Sequence, residues 1–423
     1  MRILYLINAT KNSLKSFADN LRTDIPWVDA MLDEVVKCKH ITIGLAIPIR
    51  DKTFQREYNN DVTLYGLPNK VSKNRLVKLF RRVTHSLENP ELNDFANKVI
   101  IDFKPDLIQI FGTENPFGLL LFKTNKPIVI HFQGSIQVVL GKWFSGISKC
   151  DQFRFASIKD LIFSRTNFDE YFTFKKRAVR EEIIIRNCQY FIGRTTFDKR
   201  LISFLSPGSS YFSCEEFIRQ PFFTNKWDVP LKESITCISI LKGVTYKGID
   251  LLIRTNELIF KNNKSVVEFK ICGIQAEEEI VNILKRKYRK RIDLSRIRFL
   301  GKLDTNGLIK ELTGSNFFIH PSYIENSSNS ICEAMALGMP VIATNVGGTS
   351  SLIEDGVDGL LVQEGEPFAL ASAIDHLTKN YGYARLLGEK ARERAITRHN
   401  QNDLCSRLID IYQRIIKEHD EIK

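Results

Sequence analysis

Short apolar runs alternate with longer amphipathic stretches along almost the whole chain. In the first half "RILYLI", "ITIGLAI", "LIQIFG", "PIVIHF" and "YFIG" have strand length, and in the second half "ITCISIL", "VEFKICG", "IRFLG", "FFIHP", "PVIAT" and "GLLV" repeat the pattern. Apolar runs without polar alternation predict strands buried on both faces. Between them, apolar residues recur at helical spacing. Val28, Met31, Leu32, Val35 and Val36 form one stripe. Leu251, Leu252, Leu258 and Ile259 form a second, and Leu404, Leu408, Ile411, Tyr412 and Ile415 a third on a long last helix. Such alternation predicts α/β architecture, with parallel sheets covered by helices on both faces.

At 423 residues the chain exceeds one ordinary core. Pro221 and Pro230 in "QPFFTNKWDVPLKES" interrupt the periodicity before a new strand begins. The expectation is two doubly wound, Rossmann-like domains, 1–225 and 226–400, with a cleft between them and a helix over 401–423. Ligands in such sheets sit at the carboxyl ends of the strands. No apolar run approaches the roughly 18 residues of a membrane span, and "MRILYLIN" is too short for a signal peptide. A cytoplasmic protein without an integral anchor is expected. The eight cysteines are scattered, with no C-x-x-C. That spacing argues against a zinc site or a disulfide framework and for small apolar residues in reduced surroundings.

The net charge of +12 is unevenly spread. Residues 1–225 hold 33 Lys and Arg against 23 Asp and Glu, whereas residues 226–423 hold 28 against 26. Within 142–200 basic residues interleave with Trp143, Phe144, Phe153, Phe155, Phe163, Phe168, Tyr171, Phe172 and Phe174. A basic, aromatic-rich half points to an anionic partner: a membrane surface, nucleic acid or a phosphorylated substrate. Solvated helix faces over core aromatics would read the same way.

The stretch "HPSYIENSSNSICEAMALGMPVIATNVGG", residues 320–348, carries the chemistry. A strand ends at His320–Pro321, a loop delivers Glu325, and Ser327 or Ser328 caps a helix running to about Leu337. Gly338 and Pro340 are the stop. Backbone N–H groups at Ser328, Asn329 and Ser330 would form an anion site on the helix N-terminus. Gly347 and Gly348 would let a second backbone approach the same anion. Eight residues of helix rise about 12 Å, whereas carboxyl pairs acting on one glycosidic bond stand about 5–5.5 Å apart. Glu325 and Glu333 therefore suit opposite ends of an extended ligand with a phosphate between them.

This stretch resembles the E-x7-E motif of family-4 retaining glycosyltransferases, of the bacterial surface-polysaccharide type, whose fold is GT-B. The resemblance implies that Glu333 holds the ribose hydroxyls and that Glu325 faces the donor sugar. "ILKGVTYKGIDLLI" resembles the family's phosphate-binding strand–loop–helix, with Lys242, Lys247 and Gly248 at the matching positions. "VGGTSSLIEDGVDGLLV" resembles the loop beyond the second glutamate. "PIVIHFQGS" resembles the strand whose histidine, here His131, faces the reaction centre. "GRTTFD" and "YFSCEEFIRQPFF" are similar to stretches of bacterial members. The likeness is closest over about 235–365, extends over 100–220 and fades over 8–100. Lys242 stands where the family usually has arginine, giving a point charge in place of a bidentate fork. The loop "NATKNSLKSFADNLRTDIPW" lacks the family's glycine pair.

The resemblance implies a nucleotide-sugar (UDP- or GDP-sugar) docking in the second domain and a saccharide acceptor, polyprenyl-diphosphate-linked, approaching from the first. Thr113, Glu114 and Arg194 are candidate acceptor contacts. The terminal helix would cross back to the first domain. Catalysis is expected from Lys247, Glu325 and His131, and donor binding from Lys242, Gly248, Ser327 to Ser330, Glu333, Gly347 and Gly348. No Asp-x-Asp is evident, so lysines replace a metal, and no cofactor is expected. The basic half suggests peripheral binding to an anionic inner membrane surface. A nucleotide-sugar epimerase of the same fold is the alternative reading. An NAD-dependent oxidoreductase would need G-x-G-x-x-G after the first strand, which "INATKNSLK" does not supply. A nucleic-acid binder would account for the charge but not for the second domain's motif.

Overall fold

In a computed structural model the chain folds into two compact α/β units. The structure describes all residues except 12, 15–21, 24, 52, 60–61, 70–74, 87–90, 159–165, 232, 263–265, 289–293 and 423. Phe163 and much of the loop after the first strand therefore lie outside the described residues.

The first unit comprises Met1–Gln137, Phe168–Ile218 and His399–Lys423. Its strands are β1 (Arg2–Leu6), β2 (Thr42–Ile49), β3 (Gln55–Asn59), β4 (Val62–Pro68), β5 (Leu107–Phe111), β6 (Ile128–His131), β7 (Tyr190–Gly193) and β8 (Ser210–Ser213). They lie in the order β3-β4-β2-β1-β5-β6-β7-β8, parallel throughout except at the β3–β4 edge. The predicted runs form β1, β2, β5, β6 and β7. Reading the sequence misses β3, β4 and β8. β3 is a polar edge strand, β8 is a short edge strand, and β4 is interrupted by Gly66, so none has the uniform apolar run used to find the others.

The helix Pro26–Val35 starts at a proline, whose fixed φ suits the first turn. It buries Val28, Met31, Leu32 and Val35 as the stripe predicts. The terminal helix Gln401–Ile422 packs on this same unit, with Leu404, Leu408, Ile411, Tyr412 and Ile415 all buried. Each such side chain contributes about 1.5–3 kcal/mol when fully removed from water. Tyr412 adds polar specificity: its hydroxyl donates to Gln109 Oε1 at 2.5 Å and lies 2.9 Å from the Tyr5 hydroxyl. The chain thus returns to the first unit.

The second unit comprises Val138–Asn167 and Arg219–Arg398. Six parallel strands, β9 (Ser234–Ile240), β10 (Val266–Cys272), β11 (Ile297–Gly301), β12 (Phe317–His320), β13 (Val341–Thr344) and β14 (Leu360–Val362), take the order β11-β10-β9-β12-β13-β14. All six were predicted. Counted within the unit this is 3-2-1-4-5-6, the doubly wound order whose direction reverses between β9 and β12. The contents of this unit differ from the expected domains. Residues 138–167 pack with it, whereas the sequence reading runs the first domain unbroken to 225. Trp143 explains their attachment. It is fully buried, its ring lies 5.7 Å from that of Tyr246, and its carbonyl accepts the Thr245 hydroxyl. Asp151 pairs with Lys287 at 3.0 Å and the Phe155 carbonyl accepts from Arg286.

Candidate functional site

The loops leaving β9 and β12 flank the reversal point of the second sheet, where open α/β sheets bind ligands. After β9 the chain passes exposed Lys242, makes a short turn at Thr245–Lys247 and enters the helix Ile249–Lys261 through Gly248. Gly248 has φ +77, and a Cβ there would stand 1.9 Å from the Pro321 carbonyl oxygen, so only glycine fits. The loop after β12 is tied from both sides. Tyr323 N–H donates to the Tyr246 carbonyl at 2.8 Å, and Thr344 donates to the His320 and Ser322 carbonyls.

This loop presents Glu325. Its Oε2 lies 2.5 Å from Lys247 Nζ and 3.2 Å from His320 Nε2, and Oε1 accepts from Asn326 N–H at 3.2 Å. Burial opposes ionisation, yet the Lys247 ammonium and the His320 contact overcome it and hold the carboxyl well below the ordinary range. Burial lowers His320, with Glu325 opposing, so the imidazole is neutral and donates from Nε2. Because the folded carboxyl titrates below its ordinary 4.5, this cluster stabilises the fold above that pH and loses the contribution in acid.

The helix Asn329–Leu337 begins at Ser328 and ends at Gly338, with φ +83, close to expectation. The Ser328 hydroxyl turns to that of Ser330, 2.9 Å away, and does not cap the helix. Ser327 and Ser328 are buried; Asn329 and Ser330 are half-buried. Gly347, with φ +53, has room for no Cβ: the Glu325 carbonyl oxygen would lie at 1.9 Å. Gly348 N–H donates to that same carbonyl at 3.0 Å. The glycine pair therefore fixes the backbone of Glu325.

Glu333 is buried, and both bonds from Arg219, at 3.0 and 2.6 Å, fall on Oε1. Arg219 also donates to Thr305. Burial pushes the Glu333 carboxyl up, and the guanidinium opposes that shift. Among the described residues Oε2 has no partner. Arg219 is a residue that reading the sequence missed, and so is His320. Arg219 lies 114 positions from its carboxylate, and no local spacing links them. A cavity of about 630 Å³ opens beside this loop at the carboxyl ends of β13 and β14, lined by Tyr323, Ile324, Asn345, Gly347, Gln363 and Lys142, among others. Lys142 pairs with Glu364 there. Its volume is within the range of small-molecule sites. The chain segments leaving β10 and β11 are joined by Gly273 N–H to Gly301 O at 2.7 Å and Gly301 N–H to Ile274 O at 3.0 Å.

The first unit holds a separate cluster. His131 ends β6 and is wholly buried, its ring 4.7 Å from Trp27 and 5.8 Å from Phe111. Nδ1 meets Gln109 at 3.2 Å, while buried Nε2 has no hydrogen-bond partner among the described residues. Burial and the Arg194 charge keep the imidazole neutral. Arg194 lies over Trp27 and 3.7 Å from Glu216, almost fully buried. Thr113 is buried and donates to Glu181 at 2.6 Å. Glu181, also unforeseen, further accepts from Ser135 and from the Ile136 and Gln137 amides, fixing the loop after His131. Of the three acceptor candidates, Glu114 alone is half-exposed, and it accepts from Asn8 at 3.0 Å. Among the described aromatics of 142–200, only Phe153 and Phe172 are exposed. Trp143 is buried, and Phe144, Phe155, Phe168, Tyr171 and Phe174 are half-buried.

Residues 232–380 match the model of the glycosyl transferases group 1 family. The second unit carries a group 1 glycosyl transferase domain. An uncharacterized glycosyltransferase of Methanocaldococcus jannaschii is 31% identical over 150 residues, 36% of this chain and 40% of that protein. The capsular polysaccharide biosynthesis glycosyltransferase CapM of Staphylococcus aureus is 27% identical over 179 residues, 41% of this chain and 44% of CapM. The chain thus spans about two fifths of the length of these curated relatives. Among solved structures, sucrose-phosphate synthase of Thermosynechococcus elongatus superposes with TM-score 0.69 at 16% identity, covering 99% of both chains. HepE of Anabaena in complex with UDP-glucose superposes with TM-score 0.63 at 16% identity, covering both chains fully. These likenesses establish the GT-B fold for the whole chain. The matched residues contain the Lys247–Glu325–His320 cluster and Glu333, while Arg219, which pairs with Glu333, precedes them.

Proposed function

We propose that this chain is a retaining, hexosyl-type glycosyltransferase that moves a sugar from a UDP- or GDP-sugar to a hydroxyl of a lipid-linked saccharide in polysaccharide or glycan biosynthesis. The observation that carries the reading is the meeting of Lys247, Glu325 and His320 at the sheet's reversal point, within the group 1 domain. The Anabaena protein seen with UDP-glucose and the capsular role of CapM support the donor class and the pathway type.

In this reading the ribose hydroxyls donate to Glu333 Oε2, the oxygen that Arg219 leaves unpartnered. The diphosphate lies against the amides of Ser328, Asn329 and Ser330 and draws the ammoniums of Lys242 and Lys247. As the glycosidic bond breaks, negative charge grows on the leaving diphosphate oxygen, and fixed cations stabilise it most where water is excluded. The acceptor hydroxyl adds to the same face of the sugar and passes its proton to that oxygen. Glu325, held by His320 and the backbone at Gly347 and Gly348, orients the sugar, and His131 is kept as a proposed catalytic residue. Glu114 is the acceptor contact its exposure suits, and Thr113 and Arg194 are the other proposed acceptor contacts. The lysines take the place of a metal ion, and no cofactor takes part. The enzyme works in the cytoplasm, against the inner face of the membrane, where a polyprenyl-diphosphate-linked acceptor would lie.

Donor hydrolysis tests the stereochemistry without knowledge of the acceptor. With water as a slow acceptor, an α-linked UDP-sugar or GDP-sugar is expected to release the α anomer first, followed by proton NMR before mutarotation. First release of the β anomer would exclude retention. A changed nucleotide-sugar with no free sugar would identify an epimerase.

A further inference from the structure

The helix Arg75–Val83, "RLVKLFRRV", has no role in the site described above. At about 100° per residue the sequence sets its five apolar positions, 76, 77, 79, 80 and 83, on one arc and its four basic positions on the opposite one. No acidic residue interrupts the nine. An amphipathic helix in a folded unit normally buries its apolar face, yet Leu76 is 74% exposed, Phe80 67% and Val83 58%. A second stripe of the same unit adjoins it. On the helix Asn167–Asn187, Phe172, Val179 and Ile183 are exposed at helical spacing, with Lys175 and Lys176 beside them. Lys176 Nζ donates to the Thr84 carbonyl at 2.7 Å, and the rings of His85 and Phe172 lie 5.2 Å apart, so the end of the first helix abuts the second.

We infer that these two helices form a docking surface for an anionic lipid bilayer, with Arg75–Val83 lying in the plane of the interface. The combination selects this occupant. Four cations without a compensating acid on the shorter helix match an anionic surface. A nucleic acid would use the cations but leave Phe80, Leu76 and Val83 in water. A basic helix with exposed apolar residues suits the headgroup–acyl boundary, where apolar side chains enter and cations meet lipid phosphates. This places on the molecule the membrane contact named in the proposed function and rests on that part of it. The contact then falls on residues 75–83 and on the stripe that includes Phe172, one of the two exposed aromatics among the described residues of 142–200.

The test is sedimentation of the full chain with large vesicles of phosphatidylcholine and phosphatidylglycerol, against vesicles of phosphatidylcholine alone. Binding is expected only to the anionic vesicles and to fall steeply in high salt. Phe80→Asp is expected to abolish it, and Lys78→Gln and Arg81→Gln to weaken it about fivefold each. The same samples are titrated with UDP and GDP. Nucleotide affinity equal to wild type shows that the variants fold, and it reads the donor site separately, so failure of either proposal is seen by itself. Wild-type protein that ignores anionic vesicles, or Phe80→Asp that binds them normally, overturns the inference. Concentration-dependent self-association lost in Phe80→Asp, without lipid binding, would instead make this face an interface between two copies and overturn it equally.

Discussion

Lys247→Ala is expected to lower turnover in donor hydrolysis by about 10²–10³-fold while changing nucleotide affinity far less. The scale is that of removing one donor that stabilises charge developing at a reacting oxygen. The split follows from the geometry. In the unliganded protein the ammonium is already engaged by Glu325 at 2.5 Å, so the diphosphate must compete for it, and ground-state binding gains little. In the transition state the leaving oxygen carries more charge, and the same ammonium interacts more strongly with it. The substitution also leaves Glu325 buried with only His320 and Asn326 as donors. Lys247→Arg, which retains a positive charge, should recover part of the rate. Equal losses in turnover and affinity would reduce Lys247 to a binding residue, and unchanged turnover would remove it from the mechanism.

Arg219→Ala is expected to destabilise the protein by about 3 kcal/mol, the lower end for breaking a buried ion pair, because the guanidinium is itself 21% exposed. Glu333, 5% exposed, would then be left as a buried carboxylate without its cation. For domains of this size the loss corresponds to a thermal midpoint lower by about 6–12 °C. The double variant Arg219→Ala with Glu333→Gln should recover part of it, since the uncompensated charge is gone. A single variant within 1 kcal/mol of wild type would show that Glu333 does not depend on the pair.

The two predictions differ in how far reading the sequence could have reached them. Lys247 and Glu325 lie 78 positions apart, yet each sits in a recognisable loop after a buried strand, and the doubly wound order brings those two loops together. Eleven strands were legible for the same reason: each is an apolar run bounded by polar or turn residues. β3, β4 and β8 lack that signal. Arg219 carries no mark in sequence, because its meaning depends on the helix Asn329–Leu337 arriving beside it. The exchange of residues 138–167 into the second unit was equally hidden. Trp143, Phe144 and Phe155 have the same composition whether they face lipid or a neighbouring loop, and only packing against Tyr246 and the helix Glu279–Tyr288 decides between these. The close neighbour of Gly347 is the backbone of Glu325, a contact 22 positions away in sequence that the glycine pair does not announce. The helix Arg75–Val83 was legible by charge and spacing alone; the charge-rich aromatic stretch at 142–200 drew the reading away from it.

The central claim is that Glu333 and the amides before it hold a nucleoside diphosphate. Calorimetric titration of the full chain with UDP and with GDP, repeated on Glu333→Ala, tests it most directly. The account predicts saturable binding of one of the two, weakened at least tenfold in the variant whose thermal unfolding confirms a folded protein. Binding of neither nucleotide by the wild type, or affinity unchanged in Glu333→Ala, would contradict it.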